Sequence, residues 1–163
     1  MNDFNWKINK LTSSSRARTG TLTTPHGSIE TPAFIFCATK AALKTLPIDE
    51  VVNVETQIIL SNTYHLMLQP GGEIIAKHGG IHKFMNWKGP ILTDSGGFQI
   101  FSLGHGSVAD EIKGRNINNN RNKSLIKISE EGALFKSYID GSKHLLSPEK
   151  SIYIQRNIGA DLI

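Results

Sequence analysis

Three short apolar runs, Phe34-Ile35-Phe36, Ile58-Ile59-Leu60 and Ile91-Leu92, are continuous rather than alternating. That pattern predicts strands buried on both faces. Helical spacing fills the gaps between them. Leu46, Val51, Val52 and Val54 give a helix that starts at Pro47 an apolar, buried side. Proline suits a first helical turn, and Asp49 and Glu50 favour its positive end. Residues 64–68 and 72–77 repeat the helical pattern, which Gly79-Gly80 closes. Strands alternating with helices imply parallel pairing.

The two flanks read differently. Residues 19–23 and 28–31 alternate weakly around the turn Pro25-His26-Gly27, predicting an antiparallel meander over residues 1–33. The first β/α units occupy 34–103. Residues 104–123 are rich in Gly and Asn, lack apolar periodicity, and read as a flexible surface insertion. From 124 to 163 the pattern is a hairpin, a helix and the start of a strand. Ala133, Phe135 and Ser137 fall on one face of a strand, and Leu134, Lys136 and Tyr138 on the other. Asp140-Gly141 is a turn signal, and 143–146 is the return strand. Ser147 is a helix N-cap, Pro148 a first helical residue, and Gly159 a stop after Ile158. Residues 160–163 open another buried strand that has no exit turn, as in a domain cut part-way.

The fold class expected is α/β: the N-terminal portion of a (β/α)8 TIM barrel with an N-terminal antiparallel meander and an inserted hairpin. Such a barrel takes about 250 residues. This chain has 163.

Charge and cysteine usage narrow the setting. The net charge of +4 suits a polyanionic partner. The basic residues are scattered (Arg16, Arg18, Lys113, Arg115, Arg121, Lys123, Lys127), as on a solvated surface, and no aromatic-interleaved platform for single strands accompanies them. A single cysteine, Cys37, excludes a disulfide framework, fits a reducing cytoplasm and reads as a small packed residue. No apolar run is long enough to span a membrane, and residues 1–7 lack a signal-peptide core.

The chemistry concentrates at Thr93-Asp94-Ser95-Gly96-Gly97-Phe98-Gln99. Asp94 falls at the carboxyl end of a buried strand, where α/β barrels place catalytic groups. Ser95-Gly96-Gly97 lets backbone approach a flat ligand. Asp-Ser-Gly-Gly alone is ordinary turn chemistry. His65, His78 and His82 lack ligand spacing and read as surface or packing residues, so no metal ligand is assigned.

The longer string resembles the active-site signature of the tRNA-guanine transglycosylases (queuine tRNA-ribosyltransferases). Thr23-Thr24-Pro25-His26-Gly27 with Glu30-Thr31-Pro32-Ala33-Phe34, Ser61-Asn62-Thr63-Tyr64-His65-Leu66 with Pro70-Gly71, and Gly79-Gly80-Ile81-His82-Lys83-Phe84-Met85-Asn86-Trp87 resemble further blocks of that family in the same order. So does Ile139-Asp140-Gly141-Ser142 through Ser147-Pro148-Glu149-Lys150-Ser151.

The resemblance implies exchange of guanine for a 7-deazaguanine base, 7-aminomethyl-7-deazaguanine, in the tRNA anticodon during queuosine biosynthesis. It implies that Asp94 is catalytic and touches the base, that Ser95, Gly96, Gly97 and Phe98 line the base pocket, and that Asn62 supports Asp94. Phe98 stands where the family often has Tyr, which keeps the stacking and loses a hydroxyl. The resemblance places the covalent nucleophile, a second base-binding aspartate and a Cys-rich zinc site beyond residue 163. Asp140 is explained by its turn, and Asp161 precedes the second aspartate's position. The partners implied are tRNA, guanine and 7-deazaguanine bases, a C-terminal half in trans and a second copy in a homodimer. No zinc or other cofactor is expected within this chain. The alternatives are a truncated, inactive remnant and a non-catalytic nucleotide- or RNA-binding module; the isolated chain is expected to be inactive.

Overall fold

Asn5–Leu11 (β1), Arg18–Thr24 (β2) and Gly27–Thr31 (β3) pair antiparallel in the order β1-β2-β3. The computed structural model describes residues 4–105 and 124–163. The β2–β3 turn is tight: Thr24 Oγ1 donates to the Gly27 carbonyl at 2.9 Å. Ile35–Cys37 (β4), Ile58–Asn62 (β5) and Ile91–Asp94 (β6) form a parallel sheet in the order β4-β5-β6. Leu125–Ser129 (β7), Gly132–Lys136 (β8) and Lys143–Leu146 (β9) form a third, antiparallel sheet. The fold is mixed α/β, and among the described residues these small sheets do not close into a barrel.

Ile48–Asn53 (α1) lies between β4 and β5. Thr63–Leu68 (α2), Gly72–Lys77 (α3) and Ile81–Met85 (α4) lie between β5 and β6. Gly97–His105 (α5) follows β6, and Pro148–Ile158 (α6) follows β9. The capping of α6 follows from its sequence: Ser147 Oγ accepts the Lys150 N–H at 3.1 Å, and Gly159 ends the helix at φ 77°.

One core joins the central and C-terminal parts. Ile59 and Ile91 from the parallel sheet pack with Tyr64, Leu66, Ile75, Ile81, Ile154 and Ile158 from the helices. The antiparallel β7–β9 sheet enters through Ala133, Phe135 and Leu146, and the Phe135 and Tyr64 rings lie 5.2 Å apart. Strand alternation explains this entry: Ala133, Phe135 and Ser137 are buried, whereas Lys136 and Tyr138 are exposed.

Several expectations are corrected. The first apolar run is not buried on both faces: Phe34 is 73% exposed and Ile35 and Phe36 are each 37% exposed. Among the described strands β4 pairs only with β5, so it is an edge, while central β5 buries Ile58 and Ile59. Cys37 ends that edge strand and is exposed, not packed. In α1 only Val51 is buried, while Leu46, Val52 and Val54 are exposed. A helix of six residues offers one narrow face, and successive residues turn about 100° away from it. Helix α4 was not anticipated after Gly79-Gly80; its five residues are too few for a periodic signal. The loop at Asp94 is shorter than expected, since Gly97 already opens α5. The strand expected at 160–163 is a single parallel bridge between Leu162 and Leu92, and Ile163 is 60% exposed. From residue 106 onward the expected flexible insertion lies outside the described residues.

No helix among the described residues is long and apolar enough to cross a membrane.

Candidate active site

Parallel register builds the site. Asn62 pairs with Asp94 across β5 and β6, so both stand at the carboxyl ends of their strands. Asn62 Nδ2 donates to Asp94 Oδ2 at 2.8 Å. The next residue opens α2, and its backbone turns inward: the Thr63 N–H donates to Asp94 Oδ1 at 2.9 Å. From the first turn of α5, Gln99 Nε2 donates to Oδ2 at 3.0 Å. Helical side chains lean back toward the N-terminus, which returns Gln99 to the strand that precedes its helix.

A carboxylate offers about four lone-pair positions, and three donors occupy this one. Among the described residues, one position on Oδ1 takes no donor. Two more polar atoms nearby are unmatched. Gln99 Oε1 and Thr63 Oγ1 are buried without a hydrogen-bond partner among the described residues.

The loop after Asp94 is held from behind. The Ser95 carbonyl accepts from Ser151 Oγ at 2.8 Å, and Ser95 Oγ accepts the Gly97 N–H at 3.2 Å. The Gln155 amide lies 3.1 Å from both Thr93 Oγ1 and Ser151 Oγ. Gly96 is required by geometry. Its φ is 81°, and a Cβ there would meet Leu146 at 3.2 Å and Tyr64 at 3.4 Å. Phe98 is 65% exposed beside the loop.

All five expected pocket residues and Asn62 thus sit within one strand-end cluster. Gln99 and the Thr63 backbone were missed as partners of Asp94. Gln99 lies in the recognised string, but its role depends on a helix beginning at Gly97.

The other candidates lie elsewhere. His65 Nδ1 is 3.0 Å from the Tyr138 hydroxyl, and burial, with Lys40 nearby, pushes its pKa down. Tyr64 has a buried hydroxyl without a partner among the described residues, and burial pushes its pKa up to about 12. Asp140 belongs to its turn: Ser142 donates to it from both Oγ and N–H, and these bonds with Ser137 hold its carboxyl down at about 2. His78 Nδ1 lies 2.9 Å from the Ile74 carbonyl of its own helix.

A second polar cluster was not anticipated. His26 Nδ1 and His82 Nε2 lie 2.7 and 3.0 Å from the two oxygens of Asp161. Burial, and the charge of His26, push the His82 imidazole below its usual range despite Asp161. Burial alone would raise the Asp161 carboxyl, but hydrogen bonds from His26 and the Ile91 N–H and the imidazole charges outweigh it and leave it low.

The sequence and its relatives agree with one another. The queuine tRNA-ribosyltransferase family model matches residues 13–163. A queuine tRNA-ribosyltransferase of Roseiflexus is 58% identical over 149 residues, covering 91% of this chain and 37% of that protein. One from Fusobacterium nucleatum is 53% identical, covering 91% and 35%, and one from Protochlamydia amoebophila is 48% identical, covering 100% and 42%. The chain therefore spans well under half the length of these relatives. A match over almost the whole chain, with the strand-end aspartate cluster inside it, makes this chain a member of the queuine tRNA-ribosyltransferase family.

Proposed function

We propose that this chain is the opening part of a (β/α)8 barrel that acts as a tRNA-guanine transglycosylase, and that it supplies the pocket for the exchanged base. The carrying observation is the Asp94 cluster: a carboxylate at a strand end, oriented by Asn62, Thr63 and Gln99, beside an exposed loop and ring.

The chemistry follows from that arrangement. A base leaving the anticodon must unstack before it reaches a pocket. Phe98 offers it a flat apolar face. The free lone pair of Asp94 receives an N–H of the base, and the carboxylate takes or returns the proton as one base departs and the next arrives. Gly96 and Gly97 carry no side chain between base and backbone. The incoming base is 7-aminomethyl-7-deazaguanine, and the polyanionic partner is tRNA, consistent with the charge of +4. In the family reaction the glycosidic carbon is trapped by a carboxylate in a part of the relatives beyond the matched region. The homodimer and the assembly with a C-terminal part in trans belong to the same proposal. The zinc that the resemblance implies needs a Cys-rich site. This chain has one cysteine, exposed on an edge strand, so these residues do not build that site and no step runs through it.

The test joins this chain to the remaining part of the Roseiflexus relative, by fusion or in trans. Labelled guanine incorporation into tRNA and tRNA affinity are measured together. Asp94→Asn is nearly isosteric and is expected to lower turnover about 10²–10⁴-fold while tRNA affinity, carried by phosphate contacts, stays near the parent's. Ser95→Ala removes one neutral hydrogen bond, about 0.5–1.5 kcal/mol, and costs roughly tenfold or less. Parent-like turnover for Asp94→Asn overturns the assignment. Tight tRNA binding with no exchange by the parent assembly would favour a binding module.

A further inference from the structure

His26, His82 and Asp161 come from three distant places. His26 is at the β2–β3 turn, His82 is in the first turn of α4, and Asp161 follows Gly159 at the end of α6. The three donor atoms lie within 4.8 Å of one another. The Asp161 side chain is 1% exposed, His82 10% and His26 43%. The two imidazoles stack at 3.5 Å, tilted by 15°. Each ring nitrogen that bonds the carboxylate does so through a proton, and a metal ion would take the place of those protons.

We propose that these three side chains form a structural site for one divalent transition-metal ion, with zinc as the chemically fitting occupant. Two imidazoles and a carboxylate are a donor set that zinc accepts. Ligand atoms about 2.1 Å from one tetrahedral ion lie about 3.4 Å apart, so the nitrogen–oxygen separations of 2.7 and 3.0 Å open by a few tenths of an ångström to admit the ion. His26, half-exposed on a turn, rotates to bring Nδ1 onto the ion.

The surroundings carry the supporting contacts of a metal centre. Asp161 Oδ2 accepts the Ile91 N–H at 2.9 Å, and the Asp161 N–H donates to the Ile91 carbonyl at 2.9 Å, so the ligand is locked to β6 at two points. The His82 ring also hydrogen-bonds the Gly159 backbone. Metal-bound histidines are characteristically oriented in this way.

The location assigns the role. Ile91 starts β6 and Asp94 ends it, about 10 Å away at about 3.3 Å per residue. The ion therefore sits at the end of the strand opposite the base pocket. It pins the turn of the first sheet, helix α4 and the segment after α6 to the parallel sheet. Closing loops as long as those between residues 26, 82 and 161 removes much unfolded-state freedom.

The full 163-residue chain with Cys37→Ser, which removes the exposed thiol as a competing ligand, is stripped with a chelator. It is then dialysed against zinc at pH 7.5. The expected result is one zinc per chain and a rise in Tm of about 5–10 °C at a hundredfold excess over the dissociation constant. His26→Gln, a change in a half-exposed turn, is expected to fold and to weaken binding roughly tenfold or more. Asp161→Asn is expected to abolish it. Cobalt in place of zinc gives visible absorption that is lost in the same variants. A zinc content near zero, or zinc binding unchanged by His26→Gln, overturns the proposal and leaves a hydrogen-bonded cluster filled by protons alone. If Asp161→Asn fails to fold, the His26→Gln result decides.

Discussion

Each end of β6 holds a carboxylate with three donors, but the donors and the surroundings differ. Asp94 is held by two side-chain amides and one backbone N–H, with exposed Ser95, Gly97 and Phe98 beside it. Asp161 is held by two imidazoles and one backbone N–H, next to fully buried Ile91 and Ile158. Amides do not titrate, so the side-chain donors that hold Asp94 keep their bonding across the working pH range. Imidazoles donate to a carboxylate and can ligate a metal, which suits a closed junction. The same strand thus holds an exposed-side carboxylate at one end and a buried joint at its other.

The largest effect that sharpens this contrast is on stability. Asp161→Ala leaves His82 and the Ile91 N–H without their partner in a site where the lost side chain was 1% exposed. Breaking a buried pair by removing one partner costs about 3–5 kcal/mol, a fall of roughly 6–20 °C in Tm at about 2–4 °C per kcal/mol. Thermal melts of the chelator-treated chain read it. A fall of less than 2 °C would mean that the buried joint contributes nothing to holding the elements together.

At the open end the corresponding change should act on rate. Asn62→Ala removes one donor to a carboxylate, and such a bond contributes about 1.5–3 kcal/mol. Turnover of the assembled enzyme is expected to fall about 10–100-fold. Gln99→Ala is expected to fall by a similar factor. Both positions are half-buried rather than in the core, so Tm should move by no more than a few degrees. If Asn62→Ala instead melts the chain as Asp161→Ala does, the two ends are not specialised.

Legibility followed how local each signal was. Capping of α6 is written at the helix's own two ends, in Ser147-Pro148 and in Gly159, and the structure has those caps. Asp94 and Asn62 were readable because both lie in short recognisable strings, and parallel register brings them together. Gln99 was hidden by a loop read one residue too long. His26, His82 and Asp161 were hidden by distance: each alone has an ordinary explanation in a turn, a helix or a strand, and only the fold brings them within 4.8 Å. Burial failed where it depended on neighbours. Phe34, Phe36 and Val52 are as apolar as Ile59, but β4 lies at a sheet edge and α1 offers only Val51 to the core.

The smallest expected effect asks whether the two ends are coupled through α6, whose Ser151 and Gln155 lie behind the Ser95 loop while Gly159 leads into Asp161. Ser147→Ala removes the side-chain cap on the Lys150 N–H. It touches neither carboxylate. Losing such a cap costs about 1 kcal/mol, or about 2–4 °C in Tm, from fraying of the first helical turn. Ser151 is the fourth residue of α6 and Gln155 lies a turn beyond, both inside hydrogen-bonded helix. Fraying that stops before Ser151 leaves the Ser95 carbonyl held. Turnover of the assembled enzyme should then stay within about twofold of the parent while the melt shifts. A tenfold loss of turnover with the same small shift in Tm would show that the first turn of α6 sets the position of the Ser95 loop. The open end of β6 would then depend on the same helix that anchors the closed one.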